Sequence, residues 1–105
     1  MKMFCISHDE DIIFGMRLAG IEGRLVSNNK NDFENCLEEV IKKKDVAVVL
    51  ITEKLVTLAE EKIFKIKKTL KNPVIVRIPN KEGKSDVGET IAKYINESVG
   101  IKIWN

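Results

Sequence analysis

The chain has no apolar run near the length of a bilayer span, only two cysteines, a single histidine and a formal charge of just +2. Each shortage removes a class of function. A membrane-spanning helix needs roughly 20 consecutive apolar residues, so direct membrane insertion is excluded. The opening Met1-Lys-Met-Phe-Cys-Ile6 runs straight into Ser7-His8-Asp9-Glu10-Asp11, unlike a secretory leader. A cytoplasmic protein is expected. Cys5 and Cys36 lack metal-ligand spacing and sit among apolar residues, which predicts reduced, packed thiols and no bound metal or cofactor. The small net charge does not argue for nucleic acid. Lys42, Lys43 and Lys44, then Lys65, Lys67, Lys68 and Lys71, form local clusters, but no aromatics interleave to stack bases, so they read as solvated helical faces.

What the chain does hold is regular patterning over 105 residues, enough for one domain with a single core. The stretch Asp45-Val-Ala-Val-Val-Leu-Ile-Thr-Glu53 is a β-branched apolar run with a polar end. It reads as a strand buried on both faces, the mark of a parallel sheet wrapped by helices. Before it, Lys2 to Ser7 is a first strand. Asp9-Glu10-Asp11 opens a helix through about Ala19, its carboxylates suited to the positive end of the helix dipole, and Gly20 closes it. Ile21 to Ser27 is a short second strand, and Phe33, Cys36, Leu37 and Val40 follow helical spacing. Strand three covers Val46 to Ile51. Leu55, Ala59, Ile63, Ile66 and Leu70 then repeat along one continuous third helix, which Asn72-Pro73 stops. Val74 to Ile78 is strand four, and a last helix is expected from about Asp86 to Val99 after the turn Asn80 to Ser85. The order β-α-β-α-β-α-β-α predicts a four-stranded parallel sheet with helices on both faces, flavodoxin-like or receiver-like and one strand short. A single domain over 1–105 is expected, with residues 100–105 as a mobile tail.

The chemistry such folds carry at their strand ends is poorly matched. A dinucleotide site needs glycines in the first turn, and Ser7-His8-Asp9-Glu10-Asp11 has none and would repel phosphate. Receiver domains hold Mg²⁺ with an acidic turn, for which Asp9, Glu10 and Asp11 are superficially suited. Their phosphoacceptor aspartate ends strand three, where this chain has Ile51-Thr52-Glu53. The plainer reading of the acidic turn is a charged helix start. His8 has no second cluster converging on it to make it a general base, and a strand position between Phe4 and Ile6 should raise the Cys5 pKa rather than activate the thiol. No catalytic residue is assigned. A stand-alone receiver-like or small-ligand-binding domain using Asp9 to Asp11 remains the alternative.

The first helix is unusual. Ile12, Met16 and Ala19 share one face while Phe14 and Leu18 share another, so Ile12-Ile-Phe-Gly-Met-Arg-Leu-Ala19 is apolar around more of its circumference than one sheet requires. Gly15, costing roughly 1 kcal/mol against alanine in mid-helix, fits a close approach by something. The Asp-Glu-Asp turn, the helix end Gly15-Met-Arg-Leu-Ala-Gly20, the strand end Leu50-Ile-Thr-Glu53 and the Pro73 to Pro79 strand together resemble the F subunits of the V/A-type ATP synthases. The resemblance covers nearly the whole chain. It implies a non-catalytic component of the rotary motor's central stalk, bound to the coiled-coil shaft that the D subunit forms. Through that shaft it would act with the A and B catalytic subunits and the membrane rotor ring, peripheral to the membrane. A knob on a shaft needs an apolar patch with a polar rim, expected at Ile13, Phe14, Arg17 and Leu18 with Leu55 and Val56. Trp104, in the tail Gly100-Ile-Lys-Ile-Trp-Asn105, is a second contact candidate through the family's regulatory C-terminal segment.

Overall fold

The computed structural model describes residues 2–79. The predicted last helix, the tail at 100–105 and Trp104 lie outside them. Eight elements follow in order: β1 Lys2–Ser7, α1 Glu10–Leu18, β2 Glu22–Leu25, α2 Lys30–Ile41, β3 Val46–Thr52, α3 Glu53–Leu58, α4 Glu60–Thr69 and β4 Val74–Ile78. The strands form one all-parallel sheet in the order β2-β1-β3-β4. The α/β architecture expected from the β-branched runs is therefore present, with β3 in the interior where both of its faces are covered.

Strand alternation sorts the core into two layers. Phe4, Ile6, Val49, Ile51 and Ile75 point toward α2, α3 and α4, where they pack with Phe33, Leu37, Leu55 and Ile63. Met3, Cys5, Val48, Leu50, Val76 and Ile78 point to the other face and share a cluster with Ile12, Ile13 and Met16 of α1. Helices thus lie on both faces. The register that enforces this runs Phe4 beside Val49 and Val49 beside Ile75, and a slip of one residue would exchange the two layers.

Local chemistry fixes the helix ends. The Asp9 carboxylate accepts the Asp11 backbone N–H at 2.9 Å and so caps α1, while Asn29 caps α2 by accepting from the Asp32 N–H at 3.1 Å. At the other end of α1, Gly20 takes φ +84°. Its N–H donates to the Arg17 carbonyl at 3.0 Å, and that of Ile21 donates to Met16 at 2.8 Å. That pair of bonds is a Schellman turn, which needs a left-handed residue where Gly20 stands.

Two boundaries differ from expectation. β2 spans Glu22–Leu25 rather than Ile21 to Ser27, because the Ile21 N–H is consumed by the helix terminus and β2 is an edge strand with a single neighbour. The predicted third helix is two helices, broken at Ala59 with φ −142° and ψ 46°. An unbroken helix over 53–70 would be roughly 27 Å long, against roughly 17 Å for a five-residue strand such as β4. The break lets Leu55 and Val56, then Ile63 and Ile66, all face the same short sheet. Helical periodicity continues across Ala59, so spacing alone did not reveal the bend.

Candidate docking face

In a parallel sheet of this order, the strand connections turn opposite ways on leaving β1 and β3, and the crevice above these strand ends is where α/β folds usually bind ligands. Ser7 and Thr52 occupy it, one register step beyond the Ile6–Ile51 pair, and both are fully buried. The Ser7 hydroxyl accepts the Asp9 backbone N–H at 3.0 Å. Asp9 is itself occupied in capping α1, and the Glu53 carboxylate lies 3.7 Å from the Arg77 guanidinium. The Thr52 hydroxyl and the Nδ1 atom of His8 are buried without a hydrogen-bond partner. Among the described residues no three His, Cys, Asp or Glu side chains converge as a metal site. The acidic turn is built as a helix start.

The thiols are equally unsuited to chemistry. Burial pushes Cys5 up to about 12, and burial is also the main cause that raises Cys36, opposed by the nearby Arg24 guanidinium. Neither forms a disulfide. The lysine clusters at 42–44 and at 65, 67, 68 and 71 are exposed, as expected for solvated helix ends. No helix among the described residues is long and apolar enough to cross a membrane.

α1 carries two neighbouring apolar side chains outside the core. Ile12, Ile13 and Met16 are buried against the sheet, while Phe14 is 62% and Leu18 75% exposed. These two are one turn apart on the outward face, with the exposed Arg17 beside them. Leu25, at the end of β2, is 45% exposed and lines the same groove as Phe14 and Arg17. What holds α1 in place beneath them is Gly23. A Cβ there would stand 3.0 Å from Ile13 Cδ1 and 3.1 Å from the Cys5 carbonyl oxygen, so the absence of a side chain sets how closely α1 lies on β2.

Of the seven expected contact residues, Phe14, Arg17 and Leu18 form this single exposed face. Ile13 lies beneath it as core. Leu55 and Val56 do not join it: they are buried on the opposite face of the sheet, because α3 starts at Glu53 and turns them inward. They are corrected to core residues. Trp104 lies outside the described residues.

Four exposed apolar residues, Leu25, Phe64, Leu70 and Val74, escaped the sequence reading. Leu25 follows the strand alternation of Gly23 and could have been found from it. Phe64, 65% exposed on α4 with Lys68 Nζ 5.9 Å from its ring centroid, sits off the Ile63–Ile66 stripe. Leu70 and Val74 are exposed as well.

Comparison with known proteins adds identity to this geometry. A family model described as ATP synthase (F/14-kDa) subunit matches residues 4–99. The A-type ATP synthase F subunit of Thermococcus kodakarensis is 32% identical over 100 residues, covering 90% of this chain and 91% of its own. The F subunit of Pyrococcus furiosus shows the same identity and coverage. That of Methanocaldococcus jannaschii is 26% identical over 95 residues, covering 90% of this chain and 92% of its own.

Proposed function

Because the chain belongs to the family of ATP synthase (F/14-kDa) subunits, we propose that it is a non-catalytic component of the central rotor stalk of a V/A-type ATP synthase. It docks through the outer face of α1 onto the coiled-coil shaft, the D subunit. From there it helps couple ATP turnover in the A/B head to ion translocation through the membrane ring, as a cytoplasmic protein peripheral to the membrane.

The observation that carries this reading is Phe14 and Leu18 standing exposed on a helix whose opposite face is fully packed. Covering two such side chains is worth roughly 1.5–3 kcal/mol each. That suits a hot-spot pair at the centre of a modest interface, with Arg17 and the Glu10 carboxylate as rim. The switch-point crevice supports a non-catalytic role, since its carboxylates are engaged in a helix cap and an ion pair. The receiver-like alternative gains no support from Asp9, whose carboxylate caps α1.

The test is co-expression with the coiled-coil stalk protein, followed by size-exclusion chromatography with light scattering. A one-to-one complex is expected with the wild type, lost or strongly weakened with Phe14→Asp or Leu18→Asp and retained with Phe64→Asp. A wild type that stays monomeric beside a folded partner removes the stalk assignment.

A further inference from the structure

We infer that the pocket between α4 and β4 seats this chain's own Trp104, whose indole packs against Phe64. The inference is independent of the stalk reading. It assigns Trp104, a candidate stalk contact on sequence grounds, to the chain's own surface.

The pocket has a volume of about 280 Å³. That lies just below the roughly 300–1,000 Å³ of sites that take a drug-sized ligand, and it suits one large side chain. Its apolar lining comes from the core residues Val56, Ile63 and Ile75 and from the exposed Phe64. The pocket opens beside β4, which pairs only with β3 among the described residues. Phe64 therefore stands at the margin of the core, next to a recess that one more aromatic ring would fill.

The polar groups of the lining favour an indole over other apolar occupants. A tryptophan N–H needs an acceptor when it is buried. Glu60 lines the pocket, and its carboxylate has no hydrogen-bond or ion-pair partner among the described residues. The face of an indole is also the best aromatic partner for a cation. Lys67 and Arg77 line the same pocket. Arg77 is 3.7 Å from Glu53, a loose contact, and Lys67 is unpaired among the described residues. Acceptor, cations and apolar wall thus occur together.

Two aromatic residues follow residue 79, Tyr94 and Trp104. Tyr94 falls within the helix predicted over 86–99, on one stripe with Val87, Ile91 and Ile95, where helix packing claims it. Trp104 follows Gly100 in the alternating run Ile101-Lys-Ile-Trp104, outside that stripe. Residues 80–103 give it ample reach. A helix over 86–99 is roughly 21 Å long, close to the roughly 17 Å of β4, so it carries the segment after Gly100 back along the strand that the chain has just left. Tethering also raises the effective concentration of the indole to the order of mM, so one side chain suffices.

The experiment uses the full chain. Trp104 is the only tryptophan, so intrinsic fluorescence reads this one position. Expected for the wild type are emission shifted to the blue and weaker acrylamide quenching than for N-acetyltryptophanamide. Both should revert toward the free-indole values in Phe64→Ala, with an unchanged circular dichroism spectrum because Phe64 is exposed. Glu60→Ala should move the indole N–H proton resonance, and Trp104→Phe should shift the methyl resonances of Val56, Ile63 and Ile75. A fully quenched, red-shifted wild type would overturn the inference. So would indifference to Phe64→Ala or to Glu60→Ala, or methyl shifts that miss these three residues. Shielding that appears only as light scattering detects dimers would put a second copy's indole in the pocket and overturn it as well. None of these outcomes bears on the docking of α1.

Discussion

Gly23→Ala is expected to destabilise the protein by about 1–2 kcal/mol. The added methyl would meet Ile13 Cδ1 at 3.0 Å and the Cys5 carbonyl oxygen at 3.1 Å. The first neighbour is the end of a side chain and has room to turn aside. The second is backbone in β1, held by pairing on both sides, and yields only if β1 and β2 shift. Overpacking of this kind costs about 1–3 kcal/mol, and the stiffer unfolded chain returns about 0.4–1 kcal/mol. At roughly 4–8 °C per kcal/mol for a small domain, thermal melts should fall by roughly 4–16 °C. Ile13→Val removes the clashing Cδ1 and by itself costs about 0.5–1.5 kcal/mol. In the double variant it should recover part of the Gly23→Ala loss and not all, since the carbonyl remains. A four-way cycle of urea midpoints reads that coupling. Gly23→Ala with unchanged or raised stability, or strict additivity with Ile13→Val, would refute the claim that this glycine sets the depth of α1.

Thr52→Val should raise the urea midpoint by about 1 kcal/mol in stability, because it removes a buried hydroxyl that has no partner; a loss would mean that the hydroxyl is satisfied. Gly20→Ala should lower stability by about 1 kcal/mol on backbone grounds alone, since φ is +84° and nothing lies within 4 Å of the added Cβ. An unchanged melt would show that the Schellman turn is not needed to end α1. The Cys5 thiol, raised to about 12 in the fold from an ordinary 9.0, contributes stability that is complete below pH 9 and lost as pH rises toward 12, because the unfolded chain releases its proton first. The decline should reach up to about 1.4 kcal/mol per pH unit, and Cys5→Ala should flatten it in urea titrations between pH 8.5 and 11.

The sheet was legible because β-branched runs of strand length, spaced by amphipathic segments, leave few other arrangements. The split of α3 from α4 was not, since Leu55, Ala59 and Ile63 keep helical spacing across a bend that only the length of β4 requires. The docking face was half legible. An all-round apolar α1 announced leftover surface at Phe14 and Leu18, but spacing alone does not say which apolar positions the sheet covers, and Leu55, on the stripe that continues to Ile63 and Ile66, packs with Val56 into the core on the far side of the sheet. Leu25 completes the face through strand alternation across Gly23, a signal weaker than the helical one. The acidic turn after β1 was legible as a charged helix start, and Asp9 fills that role by capping α1.

The docking of α1 on the stalk is tested most directly by titrating the isotope-labelled chain with the unlabelled coiled-coil partner and following backbone amide shifts. Saturation at one equivalent is expected, with the largest shifts in 10–20 and Glu22–Leu25 and little change around Phe64 and Val74. No shifts at all, or a footprint centred on α4 and β4, would contradict it.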